Sequence, residues 1–382
     1  MSADGDFQVT ASGRLDLETY IPGADEPWII PETEPFVAHR LRVFTDVFVG
    51  ERLYGLMEVR TDRGEEPRAG SPELRLDQAF LRVTSDGGRL SFQAGKFASP
   101  FGGYARRHHT EADPLIRPPF PYEWRTMACD WRVPPDAASF ATWKDDPEEF
   151  RGPGAPPIWG VPYQWGVSGF ASVGDVLLQL ALMNSAPSSG PGQWGLEGTF
   201  DRRPSVVAAL GWQATAGLHF DAYYDRGPYM EEEVVGPMPA GTAPEDPVQE
   251  LFGVGLTYRR GRATVRWEGF ADRWEVPNVP DDPRDFSYYF EGEYVIVPGL
   301  FLAGRWGEVR FDEIAVGPAP AGGYGSDAPR AAWDYDVGRL QLGAGYRLVR
   351  NAEVRVEWAH TRMDGPLEPD DDLLSVQLWW EF

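Results

Sequence analysis

The chain closes on Leu373-Leu374-Ser375-Val376-Gln377-Leu378-Trp379-Trp380-Glu381-Phe382. Leu374, Val376, Leu378, Trp380 and Phe382 share one face of an extended strand. Ser375, Gln377 and Glu381 share the other, with Leu373 and Trp379 as apolar intruders. Period-two alternation marks a strand that is greasy on one side and polar on the other. A free carboxylate on a terminal aromatic suits a soluble domain poorly, because it wastes a large hydrophobe where chains fray. The rest of the chain is therefore read for more strands of this kind.

They recur in pairs. Phe7, Val9, Ala11, Leu15 and Leu17 alternate with polar residues. Val37 to Val49 turns at Gly50-Glu51-Arg52 into Leu53 to Val59, and Leu74 to Thr84 turns at Ser85-Asp86-Gly87-Gly88 into Leu90 to Phe97. Further pairs turn at Val173-Gly174-Asp175, Ala214 to Gly217, Arg259 to Arg262, Val297-Pro298-Gly299 and Arg350-Asn351. Gly- and Asn-bearing turns between alternating segments predict hairpins. Between the pairs lie long Pro- and Asp-rich links. The sum is about sixteen strands, each near the length that crosses a bilayer at a tilt.

This is the rhythm of an all-β, antiparallel, up-and-down transmembrane barrel. It predicts one domain over 1–382, with short turns on one rim and long loops on the other. No apolar run approaches a membrane helix, as expected where each strand shows lipid only every second residue. A soluble propeller would need a repeating four-strand signature, and a sandwich of this length a linker; neither is visible. Trp212, Tyr224, Tyr258, Trp358, Trp379 and Trp380 near strand ends read as interfacial girdles.

The final strand resembles the closing strand of bacterial outer-membrane barrels, which typically end in Phe. The resemblance implies an outer-membrane location. The opening Met1-Ser2-Ala3-Asp4-Gly5-Asp6 has no basic start or apolar stretch. It is read as a mature amino terminus with an added start methionine, the signal peptide having been removed. The single Cys129 excludes a disulfide framework and suits an oxidising envelope. With 59 Asp and Glu against 35 Lys and Arg, the net charge is −24. That excludes nucleic acid as a plausible partner.

Non-lipid positions should line the interior. They include Arg40, Arg42, Arg60, Arg82, Arg266, Arg305 and Arg339, interleaved with carboxylates such as Asp16, Glu18, Asp46, Glu58, Asp221, Glu268, Glu291 and Glu357. Clustered guanidinium groups attract anions. With carboxylates as numerous, a salt-bridged wall is the plainer reading for any one arginine.

The longest loop, about 99–162, follows the fifth strand, and loops of this size in ordered domains are usually functional. Its densest charge cluster is Arg106, Arg107, His108, His109, Glu111, Asp113 and Arg117. Gly95-Lys96-Phe97-Ala98-Ser99-Pro100-Phe101-Gly102 resembles the strand exit before the inward-folding loop of porins, including the phosphate-selective group. That group uses lysines, and this chain has only Lys96 and Lys144. The resemblance implies a sixteen-strand porin, usually a homotrimer, set among outer-membrane lipid and lipopolysaccharide. It passes small hydrophilic or ionic solutes, with the cluster as pore constriction.

Alternatives stay open. The loop could be an outer lid packed by Trp124, Trp131, Trp143 and Trp159. The barrel could be plugged or hold a partner protein in an envelope complex. A metal at His108 and His109 is disfavoured because adjacent residues do not share a face. Neither catalytic motif nor cofactor-binding pattern is found, so neither an enzyme nor a cofactor is expected. The acidic runs Glu231-Glu232-Glu233, Asp281-Asp282 and Asp370-Asp371-Asp372 read as solvated loops or as cation-capturing ones.

Overall fold

A computed structural model describes residues 7–23, 30, 32–62, 73–108, 112–146, 149, 154–195, 203–318, 328–365 and 371–382. Sixteen antiparallel strands close into one barrel. The first five are β1 (Phe7–Pro22), β2 (Phe36–Val49), β3 (Leu53–Asp62), β4 (Glu73–Thr84) and β5 (Leu90–Ala98). β6 (Tyr163–Val173), β7 (Val176–Met183), β8 (Ser205–Thr215), β9 (Leu218–Pro228), β10 (Val248–Arg260) and β11 (Ala263–Trp274) follow. β12 (Arg284–Val297) and β13 (Leu300–Phe311) precede a small separate hairpin, β14 (Glu313–Ala315) with β15 (Arg330–Ala332). β16 (Val337–Val349), β17 (Ala352–Met363) and β18 (Asp371–Glu381) complete the wall.

Each barrel strand pairs with its neighbour in sequence, β13 pairs with β16 across the small hairpin, and β1 pairs with β18 to close the ring. Short turns and long links alternate as the sequence predicts. Gly174 and Gly261, at φ +59° and +62°, sit in two of the tight turns, where a side chain on the left-handed backbone would be strained. The terminal Phe382 exchanges two backbone hydrogen bonds with Gly13, at 2.9 and 3.0 Å.

Alternation puts apolar residues outside. Leu180, Leu210, Val254, Phe290, Leu302, Leu342, Val356 and Leu378 are exposed around the barrel, a belt that only lipid would cover. Trp212, Tyr258, Trp358 and Trp380 lie exposed on this outer face. Trp379 does not belong with them. It is 1% exposed, packed under the Arg14 guanidinium 4.7 Å from its ring centroid. One residue of register separates it from Trp380, and in a strand that reverses the face.

Buried hydrophobic clusters lie inside the wall rather than between wall and solvent. One joins Phe101, Tyr104, Tyr122, Ile158 and Val161 of segment 99–162 to Phe97, Met183, Tyr223 and Phe270 of the wall. Another joins Phe120, Trp124, Met127 and Phe140 to Trp274, Val309, Phe311, Trp333 and Met363. The short helix α1 (Ala137–Thr142) supplies Phe140, and Asp136 caps it by accepting from the Ser139 N–H at 2.7 Å.

Candidate functional site: the long loop against the inner wall

Ser99 N–H donates to Pro162 O at 2.9 Å, so segment 99–162 leaves and re-enters the wall at one point. Wall glycines make room for what lies between. A Cβ at Gly343 would stand 2.6 Å from Leu115 Cδ2, and one at Gly307 would stand 2.9 Å from Phe120 Cβ. Gly103 of the loop is equally tight against Glu268, whose Oε1 accepts the Gly103 N–H at 2.6 Å. These three contacts place the segment on inward-facing positions of β11, β13 and β16.

The polar contacts are denser. Glu291 of β12 is the hub. It receives Arg107 of the loop at 3.1 Å, Arg266 of β11 at 2.7 Å and Arg305 of β13 at 2.8 Å. Asp113 lies 3.1 Å from Arg107 and 3.0 Å from Arg305, closing a buried ring of two guanidinium groups and two carboxylates, with Arg266 attached to it through Glu291. Arg107 also donates to the Tyr289 hydroxyl at 2.9 Å. Burial alone would depress its pKa, but Glu291, Tyr289 and Asp113 outweigh it and hold Arg107 well above the usual arginine value. Nearby, Arg106 reaches Asp221 at 2.8 Å and the Tyr223 hydroxyl at 3.0 Å. Glu357 of β17 accepts the backbone N–H groups of Ile116 and Arg117. Glu123 joins Arg117 of the loop to Arg339 of β16.

On the opposite wall, arginines find carboxylates on neighbouring strands. Arg40 binds Asp62 at 2.9 Å, Arg42 binds Glu58 at 3.4 Å and Arg60 binds Asp77 at 2.8 Å. The loop approaches this wall through His108. Burial first, then the fields of Arg40, Arg42, Arg60 and Arg14, push the His108 pKa well below its ordinary value, so the imidazole is neutral at physiological pH.

Of the proposed constriction residues, Arg106, Arg107, Asp113 and Arg117 contact wall residues, and His108 faces the arginines of β1–β3. His109 and Glu111 lie outside the described residues. The wall arginines face inward as alternation requires, and six of the seven carry carboxylate partners. Arg82 is the exception: its Nε donates to Gln93 Oε1 at 2.9 Å. Sequence reading missed the tyrosines Tyr223 and Tyr289 and the carboxylates Asp62, Asp77 and Glu123 as partners. Arg14, read with Asp16 and Glu18 as the polar face of the first strand, was not singled out among the interior arginines. Among the described residues no group of His, Cys, Asp and Glu is arranged to hold a metal. Asp281 and Asp282 are engaged in ion pairs at 3.0 Å with Arg330 and Arg273.

On the short-turn side of the loop a cleft of about 290 Å³ opens against β8–β12, reached by Arg106, Arg107, His219 and Arg259. On the long-loop side, a cavity of about 40 Å³ lies between His108, Tyr122, Arg125 and Trp159. His108 and Arg107, adjacent in sequence, thus border the two spaces.

No family model matches the chain, and no curated protein matches it. Solved structures do. OmpT, an outer membrane protein of Vibrio cholerae, superposes with a TM-score of 0.59 at 13% identity over 99% of this chain and 98% of that one. The anion-selective porin from Comamonas acidovorans gives 0.60 at 10% identity over 98% and 100%. The outer membrane channel DcaP of Acinetobacter baumannii gives 0.57 at 12% identity over 100% and 99%. Inward charges, outward apolar belt, sixteen-strand closure and these end-to-end superpositions agree: the chain has the fold of the bacterial outer-membrane porins.

Proposed function

We propose that the barrel is an outer-membrane channel for passive diffusion of small hydrophilic or ionic solutes, narrowed by segment 99–162, and not an enzyme. One observation carries the reading. The loop is tied by buried ion pairs and backbone hydrogen bonds to inward-facing residues from β9 to β17. Charges on both walls at that level are nearly inaccessible: Glu291 is 1% exposed, Arg305 2% and Arg60 1%. A lumen without such an insert would leave these groups in water, because sixteen strands enclose more space than side chains fill. A tight eyelet, with carboxylates and guanidinium groups facing each other, selects by size and local field. Homotrimer assembly and contact with lipopolysaccharide belong to the same proposal.

The same burial favours a second reading, a barrel plugged at rest. Planar-bilayer recording separates the two. Purified, heat-modifiable protein should give small discrete steps, and a variant lacking Arg106 to Asp113 should give larger steps with a changed reversal potential in a salt gradient. Folded protein that never conducts, with conduction appearing only in the deletion, would replace the open channel with the plugged barrel.

A further inference from the structure

We propose that the inner wall of β2–β6, at the short-turn rim, holds a binding site for an aromatic monocarboxylate, with Arg82 taking the carboxylate. Arg40, Arg42, Arg60, Arg266, Arg305 and Arg339 are each neutralised by Asp or Glu. Arg82 has no carboxylate partner among the described residues. Its Nε and Nη2 share the neutral amide oxygen of Gln93, and among the described residues no protein group takes Nη1. A guanidinium left with free donors offers a carboxylate a charge-assisted hydrogen bond.

Its surroundings are aromatic. The guanidinium carbon stands 5.5 Å from the Phe80 ring centroid and 4.8 Å from that of Phe170. Tyr54 is its register partner on β3, and Phe48 is the register partner of Tyr54 on β2, their rings 5.0 Å apart. Phe48 shares the parity of Arg40 and Arg42, so it faces inward, and it is 41% exposed. A phenyl ring turned into a water-filled lumen is a cost that a flat apolar ligand would remove. Asp46, whose Oδ1 accepts the Tyr54 hydroxyl at 2.6 Å, sets the charge of the guest. A second anionic group lying over the rings would meet that carboxylate, so one negative charge fits and two do not. The ligand this describes has an aromatic body over Phe48 and Tyr54 and one carboxylate on Arg82.

The proposal rests on the lumen being aqueous at this rim, but not on flux through the loop. Equilibrium binding to the full-length, detergent-solubilised protein therefore tests it apart from conduction. The probes are benzoate, acetate and benzylammonium, followed by saturation-transfer NMR. Benzoate is expected to bind, with acetate and benzylammonium each about tenfold weaker or worse. Arg82→Gln should weaken benzoate about tenfold, and Phe48→Ala should weaken it severalfold. Arg259→Gln, at the same rim on the facing wall, should leave it unchanged. Heat-modifiable gel mobility checks each variant's fold, and Phe48→Ala stands outside the Arg82–Gln93 pair should that pair prove necessary for folding. Absence of benzoate binding, equal binding by wild type and Arg82→Gln, or benzylammonium binding as well as benzoate would each overturn the site.

Discussion

The two halves of the inner wall solve the problem of buried charge differently. From β9 to β17, wall carboxylates serve neighbouring strands and the inserted loop together: Glu291 binds Arg266 and Arg305 of the wall and Arg107 of the loop, and Glu357 accepts loop N–H groups. On β2 and β3, Arg40, Arg42 and Arg60 find carboxylates on neighbouring strands, as Arg40 does with Asp62. A buried ion pair repays its desolvation only with good geometry and full hydrogen bonding, and breaking one is costly. Loss of the loop would therefore strip partners from Glu291 and Glu357 directly, whereas Arg40, Arg42 and Arg60 would keep wall carboxylates. If segment 99–162 narrows a passage, as proposed, its ion pairs and hydrogen bonds to β9–β17 are the contacts whose loss would widen it.

Glu291→Gln tests that contrast most severely. It leaves Arg107, Arg266 and Arg305 sharing reduced negative charge in a dry site, at a cost of about 3–5 kcal/mol. The expected result is a lower midpoint of heat-induced mobility change together with larger conductance steps. Asp62→Asn strikes the other half and should separate the two effects. The barrel loses stability to a comparable or smaller degree, because Arg40, Arg60 and Arg75 lose a shared carboxylate charge while Glu18 stays 3.6 Å from Arg40, and step size stays as in wild type. The added net positive charge shifts the reversal potential toward anions. Larger steps from Asp62→Asn, or unchanged steps from Glu291→Gln, would erase the distinction between the halves.

A pH effect sharpens it further. Asp130, in the outer part of the loop, is pushed up to about 6, first by burial and then by Glu231. Its unfolded value is the ordinary 3.8, so the fold binds the proton more tightly than the open chain. Stability is full below about pH 4, falls as pH rises to about 6, and is level above. The loss amounts to about 3 kcal/mol at most. Asp130→Asn should abolish that slope, read as resistance of the long-loop rim to proteolysis at pH 4.5 and 7.5. A smaller effect is expected at His108. Because it is held neutral, His108→Gln should leave ion selectivity unchanged between pH 5 and 8, measured as reversal potential. Slower still to respond is Cys129, whose buried thiol is pushed up to about 12. Maleimide should label it only after denaturation.

The barrel was legible because its signals repeat: alternation, tight turns and long links recur around the ring and agree with one another. Inward arginines followed from parity alone. Their partners did not, because Asp77 of β4 meets Arg60 only once register and a bulge between Glu58 and Val59 bring β3 and β4 together. Trp379 shows the same limit, since composition marks it as a girdle residue while parity turns it inward. The loop's seat was less legible still. Gly307 and Gly343 read as ordinary strand glycines until Phe120 and Leu115 occupy the space above them. Contacts between residues so far apart in sequence leave no local pattern.

The seam between β1 and β18 joins the two extremes of the chain, Leu17 against Leu378. It encircles a segment whose mooring strands, β9 to β17, are all made before β18. This topology favours one order of assembly. The loop can be seated on an open, curled sheet while one edge is still unpaired, and the final strand then shuts the ring around cargo already stowed. Seating it after closure would require threading packed aromatic residues through the mouth of a finished cylinder. The last strand is thus a latch, and variants that weaken the β1–β18 pairing should slow closure more than they disturb the loop's own seat.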